Sequence, residues 1–168
     1  MKKNSIVYWI LIFLIGSCIG WIYEEIFYFV TEGSLINSGF FYGPYVPVYG
    51  VGSLVLMFTL KKLKKYPVLI FVLSMLITGI VEYITGYIMY EIYERVWWDY
   101  TGLFLNIDGY VCFRSVFSFA IGAILLIYFI EPLLIKFINK KYNVCKIICS
   151  IFLIIFIFDM LMTFLFRY

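Results

Sequence analysis

Five apolar runs dominate this chain, and their lengths restrict what it can fold into. They extend over Ile6 to Val30, about Val46 to Leu60, Tyr66 to Tyr90, Tyr110 to Ile130 and about Val144 to Phe166. A helix that crosses a bilayer needs about 20 predominantly apolar residues, and all but the second run reach that length. Of the 168 residues 65% are hydrophobic and 14% charged. Soluble domains run at about 45–50% apolar and about 25% charged, so a water-soluble core of this size could not hide the excess. The sequence predicts an all-α integral membrane protein, a bundle of about five transmembrane helices. Residues 1–168 form one transmembrane domain with spans near 6–30, 46–60, 66–90, 110–130 and 144–166. The expected surroundings are the lipid bilayer, with no nucleic-acid partner.

Loop charges give the orientation, because lysine and arginine accumulate on the cytoplasmic side. Lys2 and Lys3 precede the first run. Lys61, Lys62, Lys64 and Lys65 separate the second from the third, and Lys136, Lys140, Lys141 and Lys146 surround the join of the last two. The alternate loops carry Glu32, Glu91, Glu94, Asp99 and Asp108. The expectation is a multi-pass protein of the cell membrane, N-terminus cytoplasmic and C-terminus outside. The four cysteines are scattered and there is no histidine, so neither a metal site nor a Cys–His nucleophile pair is expected, and no cofactor.

An ionisable group inside a span costs on the order of 2.5–3.5 kcal/mol, so it faces the protein interior or a water-filled cavity. Four such groups stand out: Glu24, Glu82, Arg114 and Asp159. At 1.5 Å per residue all four fall within about 6–12 Å of the outer interface, which predicts one polar site at that level, with Arg114 paired to Glu82 or Glu24. Glu25 must point about 100° away from Glu24 and reads as interfacial. Stripes of small residues share faces with the charges: Gly16, Gly20 and Glu24; Thr78, Glu82, Gly86 and Tyr90; Arg114, Ser118 and Gly122. Small residues let helices approach closely.

Between the first two runs, Asn37-Ser38-Gly39-Phe40-Phe41-Tyr42-Gly43-Pro44-Tyr45-Val46-Pro47-Val48-Tyr49-Gly50-Val51-Gly52 is apolar yet broken by Gly and Pro. Non-helical backbone at membrane depth must be buried in protein or line a cavity, so a re-entrant loop is expected, an ordinary interfacial loop being the alternative. Trp97-Trp98-Asp99-Tyr100 and Asn106-Ile107-Asp108-Gly109 form either an interfacial aromatic belt or a lid over the polar site. Trp21, Asn37, Gly39, Gly43, Pro44, Pro47 and Tyr49 join the charged residues as candidate site residues, as do Trp98, Asp99 and Asn106.

Gly20-Trp21 with Glu24, Gly39-Phe40 with Gly43-Pro44, Pro47 and Tyr49-Gly50, then Glu82, Trp97-Trp98-Asp99-Tyr100, Asn106, Gly109, Cys112 and Arg114 together resemble the bacterial family named "Putative ABC-transporter type IV", the CmpB-like permeases. The resemblance covers about Leu11 to Ile130, and Ser38 departs from it where an arginine is expected. It implies a transporter permease. No Gly-x4-Gly-Lys-Ser/Thr phosphate loop is present, so an ATPase would be a separate subunit; a homo-oligomer is the other partner considered. Two further readings stand beside the permease: a non-catalytic assembly or sensing subunit, and a membrane enzyme acting on an envelope or lipid-linked substrate through paired carboxylates. No recognised nucleophile arrangement supports the enzyme, and no catalytic residue is assigned.

The lysine alternation makes a direct prediction. In a cysteine-free background, single cysteines at positions 62 and 99 react with an impermeant thiol reagent from opposite sides of the membrane. Labelling of both from one side contradicts the five-crossing order.

Overall fold

The computed structural model describes residues 5–33 and 39–166; Asn37 and Ser38 of the Gly/Pro segment, and Lys2 and Lys3, lie outside them. Among the described residues the chain is all helix and loop, with a single isolated bridge between Ile107 and Val111. The helices are α1 (Ile6–Glu32), α2 (Pro47–Leu60), α3 (Pro67–Tyr93), α4 (Phe113–Leu125), α5 (Glu131–Lys140) and α6 (Tyr142–Phe166). A 3-10 turn, Lys61–Leu63, follows α2, and a π-helical turn, Leu126–Ile130, joins α4 to α5 without a break. Four stretches are long and apolar enough to cross a membrane: Ile6–Thr31, Pro67–Tyr93, Phe113–Lys140 and Tyr142–Phe166. The protein is therefore a multi-pass helical membrane protein.

Two differences from the sequence reading concern helix ends. α2 has 14 residues, about 21 Å at 1.5 Å per residue, and falls short of a hydrocarbon core of about 30 Å. The fourth apolar run, expected to end at Ile130 before a loop, continues as helix to Lys140. Glu131 does not end it because its carboxylate is taken up by lysines, as described below.

The chain divides into two compact units. The first comprises α1, α2 as far as Leu54, the segment from Leu133, and α6. Here α1 starts at Ser5, whose side chain accepts from the Tyr8 amide, and ends at Gly33, whose φ of 68° is the left-handed cap conformation. Small residues seat α2 on α1. A Cβ added to Gly16 would lie 2.2 Å from Ser53 Oγ, and one on Gly20 would lie 2.1 Å from Tyr49 Cγ. Gly50 meets Ser17 and Phe13 in the same way. The Gly16–Gly20 stripe thus does what its spacing predicts. Aromatic rings fill the space between α1, the loop and α6: Phe13, Phe41 and Tyr45 pack on Phe152 and Phe156 with centroids 5.4–6.3 Å apart.

The second unit runs from Val55 to Pro132 and is built on α3 against α4. α3 buries Ile70, Ser74, Thr78, Glu82 and Gly86, every fourth residue. This confirms the Thr78–Glu82–Gly86 face and leaves Tyr90 exposed. α4 buries Ser115, Ala120 and Ala123, so its packed face is not the Arg114–Ser118–Gly122 stripe. Gly122 has open space around it. The small side chains of Ser115, Ala120 and Ala123 allow closer approach than an arginine would, and Arg114, in the first turn of α4, stays exposed.

Glycine packing makes the α1–α2 seam sensitive to a single methyl group. Gly20→Ala should destabilise the protein by about 1–3 kcal/mol, the usual cost of overpacking. Thermal unfolding in detergent reads it, and the loss should shrink in a Tyr49→Ala background, where the colliding ring is gone.

Candidate functional site

Each unit encloses a carboxylate that belongs to a membrane-length helix. In the first unit it is Asp159 of α6, which is 7% exposed. Its Oδ1 accepts from the Tyr42 amide at 3.1 Å and from Thr163 Oγ1 at 3.3 Å. Its Oδ2 accepts from the Gly43 amide at 2.8 Å and from the Tyr45 hydroxyl. Three of the four donors come from the Gly/Pro segment, so α6 holds that loop by its backbone. The next bond shows how deep the loop goes. The Val46 amide donates to the Ser17 carbonyl at 3.0 Å, and Ser17 sits near the middle of α1, about 22 Å along the axis from its end at Glu32. Asp159 itself lies about 10 Å from the end of α6 at Phe166. The segment therefore lies beside the interiors of two membrane-length helices. Tyr42, Gly43 and Asp159, with Ile155, Phe158 and Met162, line an open cavity of about 450 Å³.

The remaining first-unit candidates lie on the loop, α1 and α2. Gly39 is buried at the start of the described loop. Pro44 lies between the Gly43 and Tyr45 donors, and Pro47 opens α2, where its missing amide costs nothing. Tyr49 packs on Gly20 and lies 6.5 Å from the Tyr23 ring. Trp21 and Glu24 are half-buried. Glu25, read as interfacial, is the more enclosed of the two glutamates at 9% exposure, and its Oε1 is buried with no hydrogen-bond partner among the described residues. The helical phase separating the pair was legible, but not which of them points inward.

The second unit encloses Glu82 of α3, 5% exposed, and Glu131, 2% exposed; Glu82 is the one the sequence singled out. Its Oε1 accepts from the Tyr100 hydroxyl at 3.0 Å and its Oε2 from Ser115 Oγ at 2.6 Å. Ser115 Oγ also lies 2.9 Å from the Cys112 carbonyl; its single proton goes to the shorter, charge-assisted bond. The Arg114 guanidinium lies over the Tyr100 ring, 5.7 Å from its centroid. Tyr100 thus connects the two charged residues that the sequence singled out, with its ring under the arginine and its hydroxyl on the glutamate. Ser115 had no place in the sequence reading because it lies one residue outside the expected stripe.

The loop from Glu94 to Cys112 holds Tyr100 there. The Tyr100 amide donates to the Gly109 carbonyl at 2.9 Å, and Gly109 has a φ of 75° that only glycine adopts readily. Trp98 Nε1 donates to the Tyr110 carbonyl at 2.9 Å, and both rings cover Gly86. Asp99 Oδ1 accepts from the Thr101 amide at 2.8 Å. Hydrogen bonds from the Thr101 side chain and backbone hold this exposed carboxyl below its usual range. Asn106 is an exposed turn residue whose side chain donates to the Leu103 carbonyl.

No group of three or more metal-binding side chains occurs among the described residues, and all four cysteines are free. What each unit offers is a carboxylate on a membrane-length helix, ringed by amide and hydroxyl donors in the first unit and by hydroxyls in the second. That defines a class, the polytopic membrane proteins with polar groups enclosed within their spans. Comparison with protein families takes this further: the family model described as "Putative ABC-transporter type IV" matches residues 11–164. The chain belongs to that family, and the match includes most of α6 with Asp159, beyond the stretch where the resemblance was evident. No curated protein and no solved structure matches it.

Removing the Asp159 carboxylate strands two backbone amides that cannot be removed with it. Asp159→Leu should destabilise by about 1–3 kcal/mol for each stranded donor, whereas Tyr45→Phe, which deletes one donor and leaves the amides bonded, should cost about 1 kcal/mol. Denaturant unfolding of the two variants checks the order.

Proposed function

We propose that this protein is a permease-like transport component of a bacterial cell membrane, with Glu82, Tyr100, Ser115 and Arg114 as its polar site in the outer half of the bundle. The supporting observation is Glu82, a carboxylate enclosed within a candidate span and linked through the Tyr100 hydroxyl to the ring that carries an exposed guanidinium. A carboxylate and a guanidinium on one aromatic platform suit a small solute bearing both charges or strong hydrogen-bonding groups. Family membership supports the transport reading. In this reading any ATPase is a separate chain, and the lysine alternation sets the N-terminus inside and the C-terminus outside.

A second reading is an assembly or sensing subunit in which the cluster only fixes α3 to α4. It is favoured by Glu82 already accepting from both Tyr100 and Ser115. Thermal shifts of the purified full chain against a panel of polar solutes separate the two. Under the transport reading a solute stabilises the wild type, as any ligand of the native state does, and Glu82→Gln and Arg114→Gln each abolish that shift while remaining folded. If every responding solute still shifts both variants fully, the cluster is not the binding site.

A further inference from the structure

Four lysines crowd the turn between α2 and α3, and they divide into two pairs. Lys61 and Lys64 reach the Glu131 carboxylate at 2.7 and 3.5 Å, and Glu131 is buried. The Tyr128 hydroxyl, in the π-helical turn, donates to the Lys64 carbonyl at 2.7 Å. Both contacts fix the turn. Lys62 and Lys65 are exposed, and the described ion pairs all go to their neighbours. One glutamate thus engages two of the four cations and leaves two exposed.

Lys65 of this pair, with Tyr66, Pro67, Val68, Leu69 and Val72, lines an open cavity of about 490 Å³, and Lys62 is exposed in the same turn. One end is basic and carries the Tyr66 hydroxyl. The other is the apolar face of a membrane-length helix, with Val68, Leu69 and Val72 exposed. Cationic groups stacked on an exposed apolar wall, at the point where a span leaves the hydrocarbon, complement one kind of molecule. It has an anionic head and a hydrocarbon tail.

We propose that this turn binds one anionic phospholipid, its phosphate at Lys62, Lys65 and Tyr66 and an acyl chain along Val68, Leu69 and Val72. Basic residues at a membrane surface attract anionic lipid. A soluble phosphate would satisfy the lysines but leave the apolar wall uncovered, and a zwitterionic lipid would bring a cation against them. This site does not depend on the transport reading.

Native mass spectrometry of the purified full chain tests it, with phosphatidylglycerol, phosphatidylcholine and glycerol 3-phosphate as probes. The wild type should hold phosphatidylglycerol about tenfold more tightly than either of the others. The double variant Lys62→Gln/Lys65→Gln should lose that preference with an unchanged melting temperature. Lys136→Gln/Lys140→Gln removes the same charge from exposed positions on α5 and should keep the preference. The proposal is overturned if the first variant retains the preference, if the second loses it equally, or if glycerol 3-phosphate binds as tightly as the lipid, which would mark a soluble-phosphate site.

Discussion

Backbone that is not helical cannot lie at membrane depth unless its amides and carbonyls find partners, and the Asp159 carboxylate is how this chain meets that requirement. It accepts from two consecutive amides of the Gly/Pro loop and from the Tyr45 hydroxyl, and the Ser17 carbonyl takes the Val46 amide. An ionised group in a span costs about 2.5–3.5 kcal/mol, and hydrogen bonds to a charged group contribute about 1.5–3 kcal/mol each. Four such bonds offset the cost of burying Asp159. The loop in turn delivers the chain to Pro47, where α2 begins beside Gly16 and Gly20.

The second unit solves the same problem with hydroxyls. Glu82 is surrounded by Tyr100 and Ser115, so α3, α4 and the intervening loop meet on one carboxylate. Direct lysine–carboxylate pairing is used elsewhere, at Glu131. A flexible lysine can reach such a partner while keeping its stem along apolar surface. At Asp159 and Glu82 the donors are instead the short, fixed ones of tyrosine, serine, threonine and backbone.

Much of this was legible in the sequence. Run length revealed the membrane class, and the four-residue spacing of Gly16, Gly20, Thr78, Glu82 and Gly86 identified faces that do pack. The cost of an intramembrane charge picked out Glu82 and Asp159 as enclosed groups. What failed was phase and partnership. Glu25 rather than Glu24 is the more enclosed, and Ser115 rather than Arg114 reaches α3, because adjacent residues point about 100° apart and only the packing partners decide which direction is the inward one. Asp159 bonds to residues more than a hundred positions away, and no local pattern encodes that. Glu131 looked like a helix end because its lysines, also far off in sequence, could not be assigned to it.

Hydrogen–deuterium exchange across residues 42–46 of the full chain in lipid nanodiscs tests the central claim most directly. If Asp159 and Ser17 hold this loop at membrane depth, its amides exchange as slowly as those in the middle of α1. Exchange at the rate of an open aqueous loop, while α1 and α6 stay protected, would contradict the account.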